Sequence, residues 1–551
     1  MSTTSPSPFP KDGLRPLSPK ESMQRLKATA CTQPQSNKPS CSGQVHVGLF
    51  FDGTGNNKRL DYDSLPPEQR KHSNVVRIFQ AHRDRPGGGF FRHYIPGVGT
   101  PFPQIGDANH PDGLWPGGSA FAERGEHRIV WGLLQLINSV HGYVHGNPLI
   151  QVGQDSTIAN NLASVGTPGV MRRVALRTWQ DKLKAALEGA KPKVEQINVS
   201  VFGFSRGAAE SRAFCNWLFE VCEQEGGGWT FAGIPLRVSF LGIFDTVASV
   251  GLTNLFDSGT LLGHQSWADN NLEIHPGVER CVHFVAGHEV RACFPLDSVR
   301  VKSSYPGNAK EVMYPGAHSD VGGGYAPADL GVSPRAKEMF SVIPGASMYQ
   351  EARLSGVPLL PLEAMTPDDR QALQPDPSTI QRFNDYLRDA AARTAPVEQL
   401  LRHHMALYFS YRFKHRHGFE ARPFFKRASS EHQGYLRRTQ TTLMERLSRL
   451  EHSDPMAADF DPAKAAKAYR QRREKMAAAT GIPGLEKDTL AMQRLCAVAE
   501  MIDVRKVTPA VETFLENHVH DSMAGFIKQL DEYKRNGIGF VKFRTVLKGN
   551  D

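Results

Sequence analysis

Cysteine is sparse in this chain, and its spacing makes no framework. The seven cysteines lie at 31, 41, 215, 222, 281, 293 and 496. An odd number with no Cys-x-x-Cys pair argues against a disulfide scaffold and against a zinc knuckle. Cys281 and Cys293 stand among apolar neighbours and read as small buried residues. Long apolar runs are also missing: no stretch reaches the roughly 18 residues that span a bilayer. The opening MSTTSPSPFPKDGLRP has no apolar segment behind its few charges, which argues against a secretory signal peptide. The expectation is a chain made in the cytoplasm that needs some other carrier if it acts elsewhere. No internal repeat is sustained, which argues against a solenoid. No cluster of ligating side chains indicates a metal or another cofactor. No recognised nucleic-acid motif accompanies the basic surplus, so nucleic acid is not the expected partner.

What is present is the composition of a globular protein, 40% hydrophobic over 551 residues. Residues 1–43 hold seven Pro and eight Ser and are expected to form a disordered or loosely attached arm. Gln44–Phe51 reads as a strand that ends in the loop Asp52-Gly53-Thr54-Gly55-Asn56-Asn57. Helical spacing over 72–84, 128–145 and 171–187 alternates with strand signals at 90–95, 197–202, 236–244, 281–286 and 309–314, with a Gly/Pro-rich loop over 100–125. Strands alternating with helices predict an α/β-hydrolase-like, mainly parallel sheet with helices on both faces. That pattern covers 44–355. From there helical periodicity dominates, with candidates near 379–392, 396–412, 434–451, 462–479, 487–503 and 508–529. Residues 356–551 are expected to form a mostly helical cap or membrane-docking module.

The chemistry centres on one GxSxG, Gly203-Phe204-Ser205-Arg206-Gly207. Alone it is a weak signal. Here the apolar strand Ile197–Phe202 comes directly before it and a helical run starting at Ala208 directly after it. That is the strand–turn–helix setting in which a strained turn exposes a serine hydroxyl. A serine needs a base, and the base needs an orienting acid. Asp245, at the end of the next strand in GIFDTV, and His318, in the glycine-rich loop PGAHSDVGGGY after a later strand, follow in the chain order usual for this fold. His288 and His520 are rival bases. The backbone N–H of Arg206 is one expected oxyanion donor, and Gly53 or Thr54 in the loop after the first strand the other. Two other readings stay open at this point: a soluble carboxylesterase of non-membrane substrates, and a catalytically inactive binding protein that keeps the fold.

Five ordered segments carry a resemblance. FFDGTGNN at 50–57, IPGVGT at 95–100, FGFSRGAA at 202–209, GIFDTV at 242–247 and PGAHSDVGGGY at 315–325 resemble the GxSxG phospholipase (lipase) effectors of bacterial type VI secretion. Their α/β-hydrolase domain was long catalogued as of unknown function. The resemblance implies triad roles for Ser205, Asp245 and His318 and a phospholipase A activity on the membrane of a target cell. It also implies delivery to that cell's periplasm, a cognate immunity protein and a secretion spike or carrier protein. The helical half of such proteins often serves as a membrane anchor or lid. Residues 401–450 carry 11 Lys or Arg against 3 Glu. Arg412, Lys414, Arg416, Arg422, Lys426 and Arg427 alternate there with Phe413, Phe419, Phe424 and Phe425. Cations meet anionic lipid and aromatic rings settle at headgroup level, so this segment is the expected docking face.

Overall fold

Six of the apolar runs pair into one parallel sheet. The computed structural model describes residues 3–30, 41–108, 124–163, 169–248, 271–291, 294–450, 454–480, 489–526 and 541–548. Its strands are β1 (Ser42–Phe51), β2 (Phe90–Ile95), β3 (Lys193–Phe204), β4 (Glu223–Glu225), β5 (Gly228–Phe231), β6 (Ile234–Phe244), β7 (Cys281–Ala286), β8 (Leu296–Ser298), β9 (Ala309–Tyr314) and β10 (Val546–Lys548). The order β2-β1-β3-β6-β7-β9 is parallel throughout. β4 and β5 form an antiparallel ribbon on the start of β6, and β10 pairs with β8 in a separate parallel ladder. The chain departs from β1 first to one side and then to the other. The switch point lies between β1 and β3, and in sheets of this kind ligands bind beyond the carboxyl ends of the strands at that point.

Both faces are covered, which is why the strands read as near-continuous apolar sequence. The helices that matter here are α1 (Pro19–Ala30), α2 (Asn74–Ala81), α3 (Gly125–His145), α4 (Gly169–Leu187), α5 (Arg206–Val221), α6 (His318–Gly322), α7 (Val342–Leu354), α8 (Pro377–Ala390), α9 (Val397–Lys414), α10 (Ser430–Leu447) and α11 (Pro509–His518). α3, α4 and α5 cover one face, burying Leu134, Leu176 and Trp217 with Val47, Val199 and Leu241. α2, α7 and the helical half cover the other. There Phe50, Phe202 and Phe244 join Tyr349, Phe383, Phe409, Leu443 and Phe514 in one continuous core. The fold is therefore α/β, as its sequence predicts. The helical half shares the core of the sheet, and no gap in packing falls at 355/356.

Two expectations are overturned by burial. The arm over 1–43 is not loose where it is described. Thr3 is fully buried and donates to Glu311 Oε1 (2.8 Å). Thr4 exchanges main-chain bonds with Glu311 and Met313 along the edge of β9, Phe9 enters the core and α1 follows. The segment shields an edge strand that would otherwise present unpaired main-chain groups; residues 31–40 lie outside the described residues. The second correction concerns the docking face. Arg412 is buried and paired with Asp521 (2.6 Å), with Gln440, Tyr408 and Thr439 around it. Lys414 reaches Glu512 (2.8 Å), and Arg422 reaches Glu512 and Glu516. Arg416 and Arg427 bond to main-chain carbonyls of Ala457 and Gly331. Phe413, Phe419, Phe424 and Phe425 are all under 8% exposed. Alternating cations and rings arise here because α9 and its neighbours bury rings and pair their bases inward. Of these six cations Lys426 and Arg427 stand exposed without a described ion pair, and Arg427 is tied down by its hydrogen bonds to main-chain carbonyls. Among the described residues no helix is long and apolar enough to cross a membrane.

Candidate active site

The serine sits where β3 stops and α5 starts. Ser205 has φ +58° and ψ −124°, a backbone that costs an L-residue on the order of 1–3 kcal/mol and persists only where its surroundings impose it. Two close approaches impose it. A Cβ on Gly203 would lie 2.4 Å from Gly207 O, and one on Gly207 would lie 2.3 Å from Asp52 O. Only glycines let the helix start fold back against both β3 and the loop after β1. Main-chain bonds then fix the turn: Ser205 N–H donates to Phe244 O (3.0 Å), and Val247 N–H donates to Ser205 O (3.3 Å). These two bonds bracket Asp245, so the strand ends themselves bring serine and carboxylate together.

Asp245 is fully buried with φ +39°. Its Oδ2 accepts from His318 Nδ1 (2.5 Å) and its Oδ1 from Ala286 N–H (2.8 Å). Arg544 adds two bonds, Nη1 to Oδ1 (2.8 Å) and Nη2 to Oδ2 (2.9 Å). Burial alone would raise this carboxyl; Arg544 and then His318 outweigh it and hold Asp245 below the usual carboxylate range. The His318 ring lies against Phe204 (centroids 4.6 Å apart) and edge-on to Phe294 (5.0 Å). Burial depresses the imidazole more than Asp245 raises it, so the ring is a neutral base at neutral pH. In this structure no hydrogen bond joins the Ser205 hydroxyl to the ring; such bonds often tighten only with substrate bound.

The rival histidines are held elsewhere. His288 accepts from Gly316 N–H (2.7 Å) and contacts the Tyr386 hydroxyl (3.3 Å); burial lowers it to about 3. His520 Nδ1 meets Asp320 Oδ1 (2.6 Å), and its N–H donates to Asp320 Oδ2 (3.0 Å). Asp320 also accepts from Ala317 N–H (2.9 Å). It thus ties the segment after α11 to the turn that carries His318. Of the loop donors, Gly53 N–H is given to the Asp52 carboxylate (2.8 Å), which removes it as a ready oxyanion donor. Thr54 Oγ1 accepts from Arg206 Nε, which draws the loop onto the start of α5. Sequence reading missed Arg544, Glu289 and Asp320. Glu289 accepts from His318 N–H (3.2 Å), and although burial would raise it, Arg291 holds it at about 2. Among the described residues His415, Glu512 and Glu516 have metal-ligand spacing. Lys414 and Arg422 already neutralise those carboxylates, so the group is an ion-pair network in α9 and α11.

One buried carboxyl near the site yields a prediction. Glu210, on α5, is 1% exposed and neither of its oxygens has a hydrogen-bond partner. Burial pushes it up to about 8 against the pull of Arg128 and Arg206. Between its ordinary value and pH 8 the unfolded chain gives up this proton while the folded chain keeps it, so stability falls as pH rises through that window. Glu210→Gln removes the penalty. The expected gain in unfolding free energy is on the order of 3 kcal/mol at pH 7, shrinking towards pH 5. Urea titrations at both pH values read it; a variant less stable than the parent at pH 7 would contradict a neutral Glu210.

Comparison with known proteins follows the same lines. Residues 223–351 match the family model of the catalytic domain of Tle1-like phospholipase effectors of type VI secretion. The matched stretch contains Asp245 and His318 and begins after Ser205. No curated protein matches the chain. Among solved structures, an uncharacterized protein from Pseudomonas aeruginosa superposes with a TM-score of 0.76 at 26% identity, covering 100% of this chain and 85% of that one. The Tle1 effector bound to the VgrG spike of a type 6 secretion system aligns over 53% of each chain at 23% identity, with a TM-score of 0.27; a superposition that loose adds nothing about the fold. Of the five motifs that carry the family resemblance, the family model spans the last two, GIFDTV and PGAHSDVGGGY.

Proposed function

We propose that this chain is a serine hydrolase that cleaves acyl ester bonds of membrane phospholipids, with phospholipase A specificity, and acts as an effector of type VI secretion. The observation that carries the chemistry is the strained Ser205 turn bracketing Asp245, itself bonded to His318. The effector role rests on the family match. Ser205 Oγ attacks the ester carbonyl and passes its proton to the free ring nitrogen of His318. Asp245 holds the Nδ1–H and stabilises the imidazolium. The oxyanion develops at the start of α5, where the Arg206 N–H and the positive end of the helix favour negative charge; Thr54 N–H is the second donor. His318 then returns the proton to the leaving lysophospholipid, and water hydrolyses the acyl-enzyme by the same steps. No cofactor is required. The reading carries two protein partners, a cognate immunity protein and a secretion spike or carrier. It places the action in the periplasm of the target cell.

Vesicles of mixed phospholipids test the reading by product analysis. Lysophospholipid and free fatty acid are expected in equal amounts. Release of phosphorylated head groups would exclude an acyl hydrolase. Turnover of a water-soluble ester with intact vesicle lipid would favour the soluble carboxylesterase, and no hydrolysis of either substrate a binding protein.

A further inference from the structure

The C-terminal end of the chain reaches back into the catalytic centre. β10 lies parallel to β8, and Leu296 N–H donates to Thr545 O (2.9 Å). Just before β10, Arg544 is fully buried and points at Asp245, 299 residues away in sequence. Every nitrogen of its guanidinium has an acceptor there. Nη1 and Nη2 take one oxygen each, Nε donates to Phe294 O (2.7 Å), and Nη1 also approaches Ala286 O (3.3 Å). With Ala286 N–H and His318 Nδ1, Asp245 accepts four bonds, two on each oxygen, and no acceptor site is left over. An orienting aspartate needs only its histidine and a main-chain donor or two; a bidentate arginine is more than orientation of the ring requires.

The geometry points to Arg544 as a positioning residue of the hydrolase, one that fixes the plane of the Asp245 carboxylate and sets the basicity of His318; this rests on the triad reading above. A planar fork binds a carboxylate in one plane only. With both oxygens tethered, Oδ2 stays in line with His318 Nδ1, and the imidazole is kept in the tautomer whose other nitrogen can accept a proton. The charge acts as well. A fully buried carboxylate facing an imidazole raises that base, and a guanidinium bound to the same carboxylate partly cancels the effect. The clamp thereby leaves His318 unprotonated at pH values where an unclamped pair would hold a proton. Because Arg544 arrives from the last described residues of the chain, the centre is complete only when that end is docked on β8.

Three variants and a small molecule separate positioning from mere support. Arg544→Gly should lower kcat on a water-soluble ester by at least about tenfold, by analogy with the loss of groups that orient a functional ligand, with KM nearly unchanged because Arg544 does not touch substrate. Millimolar guanidinium should restore part of the loss, and the same concentration of sodium chloride should not. Arg544→Lys keeps the charge without the fork: kcat should fall with the acid limb of the pH profile in place. Arg544→Met keeps the bulk without the charge: the acid limb should move to higher pH. The two folded-length side chains decide the matter if the glycine variant does not fold. Wild-type kcat in Arg544→Lys, or a loss in Arg544→Gly that guanidinium leaves untouched while the thermal midpoint is unchanged, would overturn the assignment. Ser205→Ala measured alongside keeps the two claims apart. If the parent hydrolyses the ester and Ser205→Ala does not, yet every Arg544 variant matches the parent, the clamp fails alone. If the parent's hydrolysis survives Ser205→Ala, the triad reading fails with it.

Discussion

Ser205→Ala is expected to lower ester hydrolysis by about 10³-fold or more, leaving only what the oxyanion donors and binding supply, while the thermal midpoint stays within a degree or two of the parent's. The two parts of this expectation have different origins. The loss in rate follows from the hydroxyl being the attacking group. The unchanged stability follows from the main chain: the turn is fixed by the bonds of Ser205 N and O to Phe244 and Val247 and by the close approaches at Gly203 and Gly207. None of these uses the side chain. Turnover of a water-soluble ester, beside a melting curve, reads both. A folded variant with parental turnover would remove Ser205 as nucleophile.

His318→Ala should be about as damaging, again on the order of 10³-fold, and the double variant with Ser205→Ala little worse than either single change, because members of a triad act as a unit. His520→Ala is the discriminating control. Each histidine has its own carboxylate, His318 with Asp245 and His520 with Asp320. Only the first pair adjoins the serine turn. His520 anchors the segment after α11 to the turn bearing His318, so its loss should reduce stability and cost activity roughly tenfold or less, on the scale of a supporting contact. Kinetics on the soluble ester for the four proteins settle the order. A larger loss for His520→Ala than for His318→Ala would make His520 the base and bring the helical half into the chemistry.

The strands and the helices of the sheet were legible because their signals are local. Ile197–Phe202, Cys281–Ala286 and Ala309–Tyr314 are short apolar runs bounded by turn residues, and burial on both faces lets every position be apolar. The strained serine was legible for the same reason: two glycines and two alanines around it leave room for one turn geometry. The basic-aromatic stretch at 412–427 misled because charge and ring content do not say which way a side chain faces. Arg412 reads like a lipid-binding cation and is instead buried against Asp521, more than a hundred residues on. The Pro/Ser-rich start misled for a related reason. Composition predicts a disordered or loosely attached arm, but Thr3 and Phe9 are ordered by the edge of β9 and the core beside it, which lie far off in sequence.

By itself the sequence determined the α/β class, the succession of the six parallel strands, and the position of Ser205 at a strand–helix turn with Asp245 and His318 beyond later strand ends. Periodicity, glycine placement and turn chemistry are all settled within a few residues of where they act. Only the tertiary structure decided which carboxylate each histidine meets, that Gly53 spends its N–H on Asp52, that the helical half shares the core of the sheet, and that Arg544 closes on Asp245. Apart from the Gly53–Asp52 bond, which joins neighbours, those outcomes depend on groups distant in sequence, up to 299 residues apart, being desolvated together, and a buried charge chooses its partner by what else is buried within hydrogen-bond reach, which no local pattern encodes.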